Sequence, residues 1–220
     1  MPIFFQHQIN ETTRLGIWKI EETEEFFLSN VPLQREVTHP HKRLQHLAGR
    51  FLLQFLFPGF PYDLIRIADT RKPFLPDEQY HFSISHCGDY AAAIVSSDKR
   101  VGVDIEVITT RINAISRKFL SDAELKYLST EDELFLKQWG FKERVETEFL
   151  TLLWSSKEAV FKWYGNGQVD FREHIQMNSN IFFSDNDWLQ IPFVFTKTMA
   201  KQLIIHGKLI DGLTLAWVMS

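Results

Sequence analysis

Residues 101–108 read VGVDIEVI, an apolar and β-branched run interrupted by Asp104 and Glu106. Side chains two apart on a strand share a face, so the two acids project together while Val103, Ile105 and Val107 pack on the other side. Two carboxylates so close repel each other, and burial raises at least one pKa unless a cation compensates. A hard divalent ion with oxygen ligands is one such cation. An edge strand with a solvated acidic face accounts for the pair equally well when the pair stands alone.

Working outward from this run, GDYAAAIVSSDKRVGVDIEVI (88–108) reads as a hairpin, two apolar stretches joined by the polar turn SSDKR. Upstream, MPIFFQHQI, RLGIWKI, DLIRIAD and YHFSISH read as strands, with a helix near Glu21. HKRLQHLAGRFLLQFLF (41–57) carries Leu44, Leu47, Phe51 and Phe55 at helical spacing and stops at PGFP. Downstream, FLSDAELKYLST begins a helix with Ser121 as cap and Glu124 three positions on, a capping box. FLTLLWSSKEAVFKWYGNG (149–167) is the clearest helix, with Gly165 as its stop signal. The segment 130–147 is charged and only weakly periodic. The remainder reads as three or four strands joined by SDND, HGK and DG turns.

Strands, a helix and more strands thus occur once before Val101 and again after it. This order predicts an α+β fold of two similar halves, residues 1–100 and 101–220, with the acidic strand at their junction, a common place for a ligand site. The chain has 220 residues, 45% of them apolar, with twenty Phe and six Trp, enough to bury a core and offset the ordering entropy. A formal charge of -4 excludes an overall basic field, so nucleic acid and anionic lipid are not expected partners. Cys87 is the single cysteine, which excludes an intrachain disulfide and fits a reducing compartment. No signal-like start and no long apolar run is visible, so the expected location is the cytoplasm.

Three further groups bear on chemistry. In WSSKEAVFKWYGNG, Glu158 and Lys162 lie four apart on a helix, the spacing of an ordinary surface pair. Trp154, one turn earlier on the same face, is a poor exposed residue, so the stripe also suits a cleft wall. In TRKPFL and FSISHCGDY, Arg71 and Lys72 bring charge beside the stiff Pro73, while Ser85 and His86 bring directional hydrogen bonds, a set matched to phosphate. Arg43 and Arg50 share a face of the early helix, where Lys42 and His46 join them; a solvated basic face explains them as well. Cys87 reads as a small packing residue.

Taken in order, RKPFL, FSISH, GVDIE and WSSKEAVFK resemble the signature of the 4'-phosphopantetheinyl transferases of the surfactin-synthetase-activating type, over roughly Lys42 to Gly167. FLSDAEL and KWYGNG are similar to the segments that accompany those motifs. The resemblance implies two α+β halves related by a pseudo-twofold axis. It also implies Mg2+-dependent transfer of the 4'-phosphopantetheine arm of coenzyme A to a serine of an apo acyl or peptidyl carrier protein, with adenosine 3',5'-bisphosphate released. In that reading Asp104, Glu106 and Glu158 hold Mg2+, with Mn2+ as the alternative ion, and Glu158 also accepts the serine proton. Lys162 stabilises charge on the phosphates, Lys72, Ser85 and His86 contact the adenosine 3'-phosphate and its surroundings, and Arg43 and Arg50 are the basic residues reaching from the first half. Since one chain carries both halves of the site, a monomer is expected. Two departures stand out: Thr70 and Arg71 replace a glycine-containing approach to Lys-Pro, and Cys87 replaces a second Ser or Thr. The competing readings are a metal-dependent nucleotide or coenzyme A hydrolase using the same acids, and a non-enzymatic carrier-binding module.

Overall fold

Two antiparallel sheets, their central strands buried on both faces, make up a computed structural model that describes residues 3–33, 36–130, 145–178, 181–183 and 188–220. The first sheet contains β1 (Ile3–Gln8), β2 (Thr13–Lys19), β5 (His81–Cys87) and β6 (Tyr90–Ser96) in the order β1-β2-β6-β5. A small separate ribbon pairs β3 (Arg66–Ile67) with β4 (Pro73–Phe74). The second sheet runs β7-β12-β11-β10-β8, from β7 (Val101–Val107), β8 (Ile175–Met177), β10 (Leu189–Phe195), β11 (Lys201–Ile210) and β12 (Leu213–Met219), with β9 (Phe182–Phe183) also paired to β10.

Each sheet carries one long helix. After the short α1 (Glu24–Leu28), α2 (Pro40–Leu56) lays Leu47, Leu52, Leu53 and Leu56 against Trp18, Phe82, Ala93 and Val95 of the first sheet. In the second half, α3 (Arg111–Phe119), α4 (Asp122–Thr130) and α6 (Phe171–His174) surround α5 (Val145–Tyr164). Helix α5 buries Leu152, Leu153, Val160 and Trp163 among Ile191, Phe193, Ile205 and Val218. The opposite faces of the two sheets meet in a third cluster, where Leu15, Ile17, Ala92 and Ile94 pack with Val103, Ile105, Leu215 and Trp217. The fold is therefore α+β, built of two similar halves, each a sheet with a helix on its outer face and the other sheet on its inner one. Each of the Val, Leu, Ile and Phe side chains among these contributes about 1.5–3 kcal/mol on full burial.

The edge strands β5 and β7 lie side by side at the junction, in separate sheets. Side chains of β5 join them: the backbone N–H of Val103 donates to Ser83 Oγ at 3.1 Å and that of Val107 to Cys87 Sγ at 3.3 Å. This corrects the hairpin expectation. Residues 90–96 and 101–107 are both strands, but β6 pairs with β2 and β5 while β7 pairs with β12. A polar turn between two apolar runs cannot distinguish a hairpin from a step between sheets.

Other expectations hold or shift for local reasons. The capping box forms, with Ser121 N–H donating to Glu124 Oε2 at 2.7 Å and Glu124 N–H to Ser121 Oγ at 3.3 Å. Gly165, at φ 77°, ends α5 in the left-handed region that suits glycine. The DG turn joins β11 to β12, Asp211 and Gly212 both having positive φ as a two-residue hairpin loop requires. HGK is not a turn: Gly207 lies within β11, where the Leu152 side chain of α5 crosses it. DLIRIAD forms a single 3₁₀ turn at Tyr62–Leu64 and the two-residue β3 rather than one strand. The SDND turn and most of the segment 130–147 lie outside the described residues. Among the described residues no helix is long and apolar enough to cross a membrane.

Candidate active site

Strand β7 turns Gly102, Asp104 and Glu106 towards α5 because alternate residues share a face. Gly102 lets the helix come close: a Cβ there would overlap the Ala159 carbonyl oxygen and stand 2.7 Å from the Trp163 backbone nitrogen. At that separation Trp154, Glu158 and Lys162, one turn apart along α5, reach the two acids. The Lys162 ammonium donates to Asp104 Oδ1 at 2.6 Å and to Ser85 Oγ at 2.8 Å, and the Ser85 hydroxyl donates to the same Oδ1 at 2.7 Å. Glu106 is gripped at both oxygens, by the Trp154 indole N–H at 3.2 Å on Oε1 and the Cys87 thiol at 3.1 Å on Oε2. Burial pushes the Cys87 pKa up to about 11, which keeps the thiol protonated and able to donate.

Glu158 completes the acidic group. Burial, then the negative charge of Asp104 and the weaker influence of Glu106, raise its pKa to about 7, with Lys162 opposing them. Burial and Asp104 also raise Glu106. Asp104 is 3% exposed, and its Oδ2 has no hydrogen-bond partner among the described residues. A buried oxygen of this kind is costly unless something binds it.

The next residue along the helix, Lys157, sets the helix rotation. Its ammonium is fully buried and donates to Glu124 Oε2 at 2.8 Å and to the carbonyls of Phe119 at 2.9 Å and Phe171 at 3.0 Å. Removing one partner of a buried, hydrogen-bonded ion pair costs about 3–5 kcal/mol, because the remaining charge is stranded. With Lys157 fixed away from β7, Glu158 is held facing it.

The remaining sequence candidates divide. Lys72 packs over the end of α5, its ammonium donating to the Trp163 carbonyl at 3.4 Å, and burial together with Arg100 lowers its pKa to about 8. Beside it a cleft of about 200 Å³ is lined by Thr70, Arg71, Lys72, Ser83, Phe161 and Lys162. His86 is exposed at the end of β5, within electrostatic reach of Lys162, Asp104 and Lys42. Arg43 and Arg50 make hydrogen bonds to residues of the first half. The Arg43 guanidinium is held by Glu24 at 2.7 and 2.8 Å and by the Val37 carbonyl, and Arg50 is buried with Nη1 3.1 Å from His46 Nδ1. The roles of Lys157, of Cys87 and of the Trp154 indole as a donor were missed from sequence. The available signal for Lys157 was its neighbours at helical spacing, Leu153, Trp154, Val160 and Phe161, all of them apolar.

A profile of the 4'-phosphopantetheinyl transferase superfamily matches residues 100–216, more than half of the chain, and spans β7 and the whole of α5. The chain belongs to this superfamily. Enterobactin synthase component D of Salmonella austin is 30% identical to it over 125 residues, 57% of this chain and 49% of that protein. The 4'-phosphopantetheinyl transferase AcpT of Escherichia coli K12 is 30% identical over 135 residues, covering 60% and 64%. The 4'-phosphopantetheinyl transferase of Bacillus subtilis is 33% identical over 102 residues, covering 46% and 41%. The chain spans about half the length of the curated relatives it matches first. Within this phosphopantetheinyl transferase relative, the superfamily profile takes in Asp104, Glu106, Glu158 and Lys162, whereas Lys72, Ser85 and His86 precede it.

Membership implies a metal cofactor. Among the described residues no group of three His, Cys, Asp or Glu side chains is arranged to hold one. Lys162 instead neutralises Asp104, while Trp154 and Cys87 occupy Glu106. The donor set itself fits a hard divalent cation: oxygen ligands only, a buried oxygen without a partner, and carboxylates whose charge the protein does not fully compensate.

The raised Glu158 pKa has a measurable sign. Above its ordinary pKa of 4.5 the unfolded chain loses this proton before the folded one does, so this group's contribution to stability is complete below about 4.5 and lost as pH rises through about 7. Glu158→Gln is therefore expected to raise the thermal midpoint of metal-free protein at pH 8 and to leave it unchanged at pH 4. A midpoint difference independent of pH would contradict the assignment.

Proposed function

We propose that the protein transfers the 4'-phosphopantetheine arm of coenzyme A to a serine of an apo acyl or peptidyl carrier protein and releases adenosine 3',5'-bisphosphate, as the surfactin-synthetase-activating type does. The observation that carries this reading is the charged cluster that β7 and α5 build together, where Glu158 feels Asp104, Lys162 and Glu106, and Lys162 is paired with Asp104. A carboxylate with a pKa close to the working pH is suited to accept a hydroxyl proton as that oxygen attacks phosphorus. Asp104, Glu106 and Glu158 would hold Mg2+, or Mn2+ in its place, which when bound neutralises charge on the diphosphate.

The chain's own groups do the rest. Lys162 stands where its ammonium can turn from Asp104 to a phosphate oxygen and stabilise charge that builds on the departing side. Lys72, Ser85 and His86, on the first half, contact the adenosine 3'-phosphate and its neighbours, so that residues 1–100 hold the nucleotide end and residues 101–220 the reacting centre. Arg43 and Arg50 stay in this reading as the basic residues reaching from the first half, with Arg43 held by Glu24 and the Val37 carbonyl. Both halves of the site come from one chain, which fits a monomer. Residues 130–147 are the region where carrier docking is expected to vary.

Mass spectrometry of apo-carriers after incubation with coenzyme A and Mg2+ is expected to show the added prosthetic arm. If several acyl and peptidyl carriers all stay unmodified, the transfer reading fails. Adenosine bisphosphate released with no carrier present would favour the hydrolase.

A further inference from the structure

Among the described residues, Glu106 is the one acid of the group whose two oxygens are both held by protein donors, and those donors come from different halves of the fold. Trp154 belongs to α5 and contacts Oε1, whereas Cys87 is the last residue of β5 and contacts Oε2. The sulfur is engaged twice, since it also accepts the Val107 backbone N–H at 3.3 Å, next to Glu106 on β7. Cys87 is the third of three alternate β5 residues that face β7: Ser83 takes the Val103 N–H, Ser85 donates to Asp104, and Cys87 binds both the backbone and the carboxylate.

We propose that Cys87 is a positioning residue for Glu106, fixing from the first half the carboxylate orientation that the second half uses to hold a divalent ion. This inference rests on the transferase reading for its consequence in catalysis and on the hydrogen bonds alone for its consequence in ion binding. An S–H group is a weak donor, so the thiol orients Oε2 while yielding it readily to a stronger positive partner. A side chain that neither donates nor accepts at position 87 leaves Oε2 and the Val107 N–H without their partner at once, and Glu106 then has only Trp154 to hold it. Outer partners that orient a ligand group commonly matter about 10–100-fold to metal affinity. A thiol sharing the task with Trp154 is expected at the lower end of that range.

The test uses the full-length protein freed of metal, with Mn2+ titrated by calorimetry and carrier modification followed in parallel. Cys87→Ala is expected to weaken Mn2+ binding by about tenfold and to raise the Mg2+ concentration for half-maximal activity by a similar factor, with the KM for the carrier unchanged. Cys87→Ser, which keeps a donor and an acceptor, is expected to restore most of the loss. Should Cys87→Ala fail to fold, Cys87→Val, of similar volume and without hydrogen-bonding groups, takes its place in the comparison. Wild-type affinity in the folded Ala or Val variant overturns the proposal, and so does a Ser variant as impaired as the Ala one, since the sulfur would then act by packing alone. Wild-type protein that binds Mn2+ yet modifies no carrier defeats the transferase reading, while the binding comparison still decides the role of Cys87. Wild-type protein that binds no Mn2+ overturns the role given to Cys87, while carrier modification still decides the transferase reading.

Discussion

Asp104→Ala is expected to lower the rate of carrier modification about a hundredfold or more, the scale on which groups that stabilise transition-state charge act. One oxygen of Asp104 receives both Lys162 and Ser85, and the other is buried without a partner among the described residues. The substitution thus strands a half-buried ammonium, frees a hydroxyl that bridges the halves, and removes a ligand oxygen together. It also removes the negative charge that acts most strongly on Glu158, whose pKa should fall, so the acid limb of any remaining activity moves to lower pH. Asp104→Asn keeps the shape and loses the charge, and it should show the same displacement. Activity within tenfold of wild type in both variants would mean that Asp104 takes no part in the transfer step.

Gly102→Ala is expected to cost about 1–3 kcal/mol or more of stability and to reduce activity well beyond what that loss alone explains. The added methyl meets backbone, the Ala159 carbonyl and the Trp163 nitrogen, which cannot swing aside as a side-chain end can. Helix α5 must lift from β7, and Glu158 and Lys162 lift with it. Gly49 on α2 offers a comparison: a Cβ there would stand 2.6 Å from a methyl of Ile84, a side-chain atom with some freedom to move. Chemical denaturation of the two alanine variants, read beside carrier modification, separates the cases. A Gly102→Ala protein as stable and active as wild type would mean that α5 does not sit on β7 as closely as described.

How far the sequence could be read depended on whether the signal was local. The strand at 101–107, the helix ending at Tyr164, the Ser121 and Glu124 box and the DG turn all follow from periodicity or from turn and cap chemistry, and each is present. Asp104, Glu106 and Glu158 were legible as a group only through the ordered motifs, because 52 positions separate Glu106 from Glu158 and no periodicity spans that distance. Strand pairing was misread where it mattered, at 90–107, since the turn between the two strands carries no record of which sheet each one joins. Arg43 shows the opposite difficulty. Its place on the exposed side of an amphipathic helix was visible, but its partner Glu24 lies on a separate short helix that nothing local connects to it. Cys87 looked like packing because its two contacts are contributed by a strand in the other half.

The meeting of β5 and β7 has a consequence for solubility. Each is the last strand of its sheet, and a bare outer strand offers unsatisfied peptide groups on which another chain can align. Here Ser83 and Cys87 cap peptide groups of the neighbouring strand, so the first half shields the border of the second. Either half cut away from its counterpart would expose its border together with the apolar inner face of its sheet, and would tend to self-associate into aggregates rather than persist as a dispersed species.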